Sequence, residues 1–246
     1  MAILSEILRF ILPPTKTRAA EFLNLRQHIA KTYNIRDQYF GYVIPFQGTG
    51  LPVRDHEMCW VIQWPSPTLP QRTTESHTQL NNLLSTTASS TSAHKARSLL
   101  FPFPSSSLPE VTKALTSPVC EFAIINLSST APKVDISFNR SMEKTFTDCY
   151  FAEGFKGGAW AYAVNTNDTD GTIVTDAEGM EGEVEEVELL KLEERRLACY
   201  YLGWESVELH HKYSQTALFA EEIDKLAPHF GPGTGAWYVK FEKHVE

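Results

Sequence analysis

The same series of predicted secondary-structure elements occurs twice along this chain of 246 residues. An aromatic strand ends at Trp64-Pro65-Ser66 and leads into a polar helix, and a second strand ends at Trp204-Glu205-Ser206 and again leads into a helix. Each copy reads strand–helix–strand–strand–helix–strand. Because such a unit covers only one face of its sheet with helices, the other apolar face needs a partner, which the second copy can supply.

The first copy is assigned to residues 1–108. Period-two alternation predicts strands, and a 3.6-residue period predicts helices. A helix begins at Thr15, a good N-cap, after Pro13-Pro14 has ended the first strand. The strands are predicted over residues 4–12, 39–44, 58–64 and 98–101, a second helix over 71–84, and a Ser/Thr-rich loop over 85–92.

The second copy is assigned to residues 109–246 and repeats the same order. A short helical link over 109–115 leads into it, and an acidic insertion is predicted at 165–188. The insertion carries nine acidic residues between positions 168 and 188 and few large apolar ones, so we expect a mobile loop without a core. Strands are predicted over 119–127, 157–164, 197–204 and 235–244, and helices over 136–151 and 207–226.

Composition excludes several classes of protein. The net charge of −8 disfavours binding to nucleic acid, which needs a basic surface. The apolar N-terminal stretch is too short for a membrane helix and is interrupted by Glu6 and Arg9, so we expect a cytoplasmic protein with no membrane partner. The four cysteines form no CxxC pair, and we expect buried free thiols.

The tandem order and the run from Gly203-Trp204-Glu205-Ser206 to Tyr213 resemble the dimeric α/β-barrel superfamily. Within it the chain is similar to the branch related to antibiotic-biosynthesis monooxygenases, in the fused form common in fungi. The resemblance implies an α+β fold in which two ferredoxin-like βαββαβ repeats form an intramolecular, pseudo-dimeric α/β barrel. It covers nearly the whole chain as architecture and little of it as sequence.

The resemblance implies a wide range of activities. Its members include cofactor-free oxygenases of polycyclic phenols, polyketide cyclases, haem-degrading enzymes, isomerases and stress-induced proteins, so fold alone does not select one. One position departs from the oxygenase pattern. The motif commonly carries a histidine further along the helix than His210 or His211, and this chain has Tyr213 at that register.

The candidate catalytic residues are His210, His211 and Tyr201. A neutral imidazole at the start of the last helix could take a proton from a phenol or an enolisable ketone, and a tyrosine hydroxyl could donate to a developing enolate. Adjacent helix residues point about 100° apart, so at most one histidine faces a pocket. The alternative is that both histidines lie on the solvated face of the helix. Their spacing does not suit a metal, and we predict no metal site.

The candidate substrate-binding residues are Trp160, Tyr162, Trp204 and Trp237. Facing aromatic side chains in a barrel can hold a planar ligand. The alternative is ordinary core packing of strands that are rich in aromatic residues. Alternation groups residues by sheet face, but it leaves open which face lines the interior of the barrel.

Two hypotheses of function follow. The first is a cofactor-independent enzyme of small-molecule, secondary or polyketide metabolism, which oxygenates or cyclises an aromatic or apolar substrate after proton abstraction. The second is a non-catalytic ligand-binding or stress-response barrel. A roomy pocket with aromatic walls and a titratable group would favour the enzyme, and a solidly packed interior the second hypothesis. A homodimer of the fused chain is a further possibility.

Overall fold

The structure, a computed structural model, describes residues 2–45, 51, 53–65, 96–174 and 189–245. The strands in these ranges are β1 (Ala2–Ile11), β2 (Gln38–Ile44), β3 (Glu57–Trp64), β4 (Arg97–Pro104), β5 (Val119–Asn126), β6 (Phe155–Tyr162), β7 (Thr172–Ile173), β8 (Leu197–Trp204), β9 (Gly235–Val239) and β10 (Glu242–Lys243). The α-helices are α1 (Lys16–Tyr33), α2 (Leu108–Thr116), α3 (Ile136–Thr147), α4 (Val207–Ser214) and α5 (Ala217–Leu226).

The strands form one antiparallel sheet in the order β6-β8-β5-β9-β2-β3-β1-β4-β7, with β10 also paired to β2. Strands β2-β3-β1-β4 and strands β6-β8-β5-β9 have the same internal order, the one that a βαββαβ unit adopts. The two sets meet where Val43 of β2 pairs with Val239 of β9. At the far side of the sheet, the N–H of Val164, just after β6, donates to the carbonyl of Leu100 in β4 at 2.9 Å. The predicted α+β class is confirmed.

One face of the sheet carries a core to which both sets of strands contribute. Helix α2 lies on this face, against β6 and β8. A side chain at Gly203 of β8 would collide with Ser117 and Ala114, so the helix approaches the strand as closely as glycine permits. Members of this core include Tyr39, Phe101, Phe103, Val111, Leu115, Phe122, Tyr201 and Trp237.

The opposite face of the first four strands is covered by α1. Thr15 caps this helix by accepting the N–H of Arg18 at 3.3 Å, and the helix ends at Asn34, whose φ of 54° is left-handed. The apolar side of α1 packs on the sheet through Phe22, Leu25 and Ile29, which join Leu8 and Trp60 in one buried cluster.

The same face of the second set of strands is covered by α3, α4 and α5. Asp135 caps α3 by accepting the N–H groups of Ser137 and Phe138. Residues from these helices and from β8 form the third core, which includes Phe138, Met142, Tyr200, Trp204 and Leu226. Helices therefore lie on both faces of the second half, α2 on one face and three helices on the other.

Three predicted elements differ in length. The helix expected over 207–226 is two helices, because Thr216 accepts the N–H of Phe219 and so caps a new helix after Ser214. The helix expected over 136–151 leaves α geometry after Thr147. The strand expected over 235–244 ends at Val239, and its last residues pair instead with β2 as β10.

The expectation of an unpacked insertion is wrong for residues 165–174. Asn165 is buried, its Oδ1 accepts the N–H of Leu100 at 2.9 Å, and its Nδ2 donates to the carbonyl of Ser98 at 2.9 Å. Strand β7 then pairs with β4. The Asn165 side-chain amide thus makes the hydrogen bonds to the β4 backbone that a neighbouring strand would otherwise make. Residues 175–188, the helix expected over 71–84 and the loop expected over 85–92 lie outside the described residues.

The described part of the chain contains no helix long and apolar enough to cross a membrane. The four cysteines, Cys59, Cys120, Cys149 and Cys199, are buried free thiols, as predicted. Burial raises the pKa of Cys59 to about 12, so this thiol stays protonated and unreactive.

Candidate functional site

The end of β8 is tied to the middle of β5 by a buried hydrogen bond. Trp204 Nε1 donates to Glu121 Oε2 at 2.9 Å, and both residues are at most 3% exposed. Helix α4 begins directly after this point, because Ser206 accepts the N–H of Leu209 at 3.3 Å. Burial raises the pKa of Glu121, an effect that His210 and the Trp204 donor oppose.

His210, in the first turn of α4, lies between two buried groups. Its Nδ1 is 2.6 Å from the hydroxyl of Tyr238, and its Nε2 is 3.3 Å from Glu121 Oε2. Burial, with a smaller contribution from Glu121, raises the pKa of Tyr238, so the phenol stays protonated. In the tautomer that has its proton on Nε2, His210 accepts the phenol proton at Nδ1. The Nε2 proton then faces the carboxylate. The His210 side chain is 12% exposed, so the chain Glu121–His210–Tyr238 lies just below the surface.

The first copy contains the same tryptophan–glutamate pair. Trp64 Nε1 donates to Glu6 Oε2 at 2.9 Å, and the Ser98 hydroxyl donates to Glu6 Oε1 at 2.8 Å. The pair therefore belongs to the repeated fold itself. In the second copy, the partners at the carboxylate are Trp204 and His210.

His211 points to the other side of α4. Its Nε2 lies 2.9 Å from the side-chain nitrogen of Gln215, one turn further along, in an exposed position. The two adjacent histidines are thus separated by the helix geometry, as expected, and His210 is the one that reaches the buried cluster.

Tyr201 and Trp237 lie on the opposite face of the sheet, in the shared core. The Tyr201 hydroxyl donates to Ser5 Oγ at 3.1 Å, and its ring centroid is 5.0 Å from Phe103 and 4.8 Å from Phe122. Trp237 stacks on Phe122 at 5.3 Å. Both rings are almost completely buried. The expected grouping of Tyr201 with Trp204 and His210 is absent, because Tyr201 and Trp204 are an odd number of residues apart on β8 and so point to opposite faces.

Trp160 and Tyr162 lie on the helix-covered face of β6. Trp160 stacks on Tyr200 at 5.4 Å and donates through Nε1 to Glu143 at 2.8 Å. The Tyr162 ring meets Trp160 edge-on at 5.3 Å, and burial raises the pKa of Tyr162 to about 12. Six of the seven predicted site residues thus fall into three groups: Trp204 with His210, Trp160 with Tyr162, and Tyr201 with Trp237. His211 lies apart from them, at the surface.

A cleft of about 190 Å³ lies between α2, α3 and the outer edge of β6. Glu110 in this cleft accepts hydrogen bonds from Lys113 at 2.5 Å and Tyr150 at 2.7 Å. Burial raises the pKa of Glu110, but these two donors outweigh it, so the net shift is downward. Of the predicted site residues, the cleft contains Trp160. Its lining is Ser106, Ser107, Glu110, Glu143, Phe146, Gly158, Ala159 and Trp160.

Two members of the buried chain, Glu121 and Tyr238, were not predicted. A sequence signal for Glu121 exists: it is the one charged residue of the apolar strand β5, and Glu6 occupies the same place in β1. Tyr238 carries no such signal, since an aromatic residue in a strand is ordinary. Within the described residues, no group of three or more His, Cys, Asp or Glu side chains could hold a metal ion.

The sequence matches no protein-family profile and no curated protein. Solved structures do resemble the fold. A crystal structure named "Putative Chlorite dismutase" shares 8% sequence identity, with a TM-score of 0.54 over 98% of this chain and 95% of that one. A "Putative monooxygenase" from Fusobacterium nucleatum shares 8% identity, with a TM-score of 0.49 over 100% and 94%. At such identity the likeness extends to the fold alone.

Proposed function

We propose that this chain is an enzyme that removes a proton from a small apolar or aromatic molecule, and that His210 receives the proton. The observation that carries the proposal is the contact of both His210 ring nitrogens, one with Tyr238 at 2.6 Å and the other with the buried Glu121 at 3.3 Å. A histidine held between a carboxylate and a hydroxyl has a fixed tautomer and ring orientation.

The proton moves through Tyr238 in this proposal. The Tyr238 oxygen takes the substrate proton as its own proton passes to His210 Nδ1, and the resulting imidazolium is stabilised by Glu121. The electron pair of the broken C–H or O–H bond stays on the substrate as an enolate or phenolate. That anion then reacts with dioxygen, which gives oxygenation, or with a carbonyl group of the same molecule, which gives cyclisation. No step requires a bound cofactor.

The proposal includes the architecture that holds this site. Residues 1–108 and 109–246 are two ferredoxin-like halves of one intramolecular barrel. The pairing of β2 with β9 and the hydrogen bond from Val164 to Leu100 support this closure from both ends of the sheet. Both catalytic partners, Glu121 and Tyr238, come from the second half, on adjacent strands where they face each other in register.

The test begins with a thermal-shift screen of aromatic polyketides and phenols, followed by turnover assays of each ligand found. We expect His210→Ala, Glu121→Gln and Tyr238→Phe to lower the rate by about 10²–10⁴-fold, the usual effect of losing a general base. His211→Ala is the matched control and is expected to stay within a few-fold. Folded variants that all keep wild-type turnover would contradict the proposal.

A second candidate, a non-catalytic ligand-binding or stress-response barrel, is supported by a different observation. The face shared by both sets of strands is filled by Phe101, Phe122, Tyr201 and Trp237, together with α2. A packed interior leaves little space for a substrate there. This candidate predicts ligands that bind the wild type and His210→Ala with equal affinity. Neither protein converts such a ligand to a product.

A further inference from the structure

Arg26 of α1 is a buried cation that forms no salt bridge with any residue that the structure describes. Only 7% of the residue is exposed, and its Nε has no hydrogen-bond acceptor in the same part of the chain. The guanidinium carbon lies 3.5 Å from the ring centroid of Phe40 and 4.8 Å from that of Phe22. Burial lowers the pKa of Arg26 to about 10, and the charge of Glu242 opposes this shift. A charge removed from water in this way ordinarily has a counter-ion.

A second buried donor lies beside Phe22. Trp60 of β3 is 1% exposed, its ring is 5.2 Å from that of Phe22, and its Nε1 has no acceptor in the described part of the chain. Trp60 is paired with Phe40 of β2, whose ring also contacts the Arg26 guanidinium. Two N–H groups, one of them charged, therefore lie close to Phe22 and Phe40, and neither has an acceptor among the described residues.

Gln38 of β2 adds a buried acceptor close to Arg26. Its Nε2 donates to the carbonyls of Arg26 at 3.0 Å and Ile35 at 3.2 Å, which fixes the orientation of the amide. Its Oε1 is buried, and no described residue donates to it. Buried polar groups are nearly always paired, so three orphaned groups in one place indicate a missing ligand or water.

We infer that the compartment between α1 and strands β2 and β3 binds a small carboxylate. Its oxygens accept from Arg26 Nε and Trp60 Nε1, and Gln38 Oε1 is left for a hydroxyl or water beside it. Stacking on Phe40 leaves the in-plane edge of the guanidinium open, which is the geometry that carboxylates recognise. A monoanion suits the site better than phosphate, because one cation is present and Glu242 adds negative charge nearby.

The experiment measures the melting temperature of the full chain in sodium formate, acetate and benzoate, against chloride and phosphate at equal ionic strength and neutral pH. We expect a rise with carboxylate concentration and none with chloride or phosphate. Calorimetric titration then gives Kd for variants. Arg26→Met is expected to abolish binding. Trp60→Phe, which replaces the indole by a phenyl ring and so removes the N–H donor, is expected to weaken binding by about tenfold.

Arg18→Met is the matched control, since it removes the same charge from the same helix at a residue paired with Glu21. It is expected to leave Kd unchanged. Glu242→Gln is expected to tighten binding. If Arg26→Met does not fold, Glu242→Gln and Trp60→Phe still test the inference. A melting temperature that responds equally to all anions, or a Kd unchanged in Trp60→Phe and Glu242→Gln, would overturn the inference and assign these groups to buried water.

Discussion

The indole Nε1 of Trp204 donates to the carboxylate of Glu121 across 2.9 Å in a fully buried setting. The bond joins the end of β8 to the middle of β5, two strands paired along their whole length. The motif that first marked the repeat in the sequence, a tryptophan before a helix, is thus one half of a polar contact. Its other half is a buried acid more than 80 residues earlier in the chain.

Trp204→Phe and Trp64→Phe are each expected to destabilise the protein. Each change leaves a buried carboxylate, Glu121 or Glu6, without its indole donor, which costs about 1–3 kcal/mol. Urea unfolding measures the loss. Trp160→Phe is the control, because its acceptor Glu143 is exposed and water replaces the lost donor. Equal free energies of unfolding for all three variants would show that the buried contact adds nothing.

His210→Ala and His211→Ala are expected to differ in stability. His210 contacts Tyr238 and Glu121, so its removal leaves two buried polar groups with one partner fewer and costs about 1–3 kcal/mol. His211 is an exposed residue beside Gln215, and its removal changes the free energy of unfolding by about 0.5 kcal/mol or less. Chemical denaturation of both variants provides the comparison. A larger loss for His211→Ala would show that the two histidines have exchanged roles in solution.

The stability supplied by Glu222 of α5 depends on pH. Glu222 Oε1 accepts from Lys144 at 2.8 Å and Lys225 at 2.9 Å. Burial raises the pKa of Glu222, but these hydrogen bonds outweigh it and lower the pKa to about 2. Because the folded-state pKa lies below the unfolded value of about 4.3, the stabilisation is complete above that value and is lost as the pH falls towards 2.

Glu222→Gln is therefore expected to be less stable than the wild type at neutral pH, and the difference is expected to shrink between pH values of about 4.3 and 2. Thermal unfolding across this range tests the prediction. Glu221→Gln, an exposed neighbour that also contacts Lys225, serves as the control. A difference that stays constant with pH would mean that Glu222 acts through packing and not through its charge.

Asn165→Ala is expected to lower the free energy of unfolding by about 2 kcal/mol or more. The change leaves the N–H of Leu100 and the carbonyl of Ser98 with fewer partners at a buried position. Asn139→Ala, an exposed asparagine that donates to the carbonyl of Lys133, is expected to cost far less. A cost for Asn165→Ala no larger than that of the control would restore the view of an unpacked insertion.

Local patterns in the sequence were sufficient for the order of elements. Period-two and 3.6-residue periodicities depend on neighbours a few positions apart, so β1, β3, β5 and β8 and the helices α1 and α3 could be located without tertiary information. The ends were harder to predict. Thr216 restarts a helix where the apolar period continues, and Asn165 packs against β4 in a stretch whose composition is that of a loop.

The sequence by itself determined the α+β class, the order of the described strands and the two tryptophans that end β3 and β8. Tertiary structure decided which residues meet. Alternation along β8 places Tyr200 and Tyr201 on opposite faces of the sheet, but it does not distinguish one face from the other. Only the packing of α2 and the first four strands makes the Tyr201 face the shared core. The Glu121–His210–Tyr238 chain is also a tertiary product, because its members come from two strands and a helix, and short-range periodicity contains no information about contacts between positions so far apart.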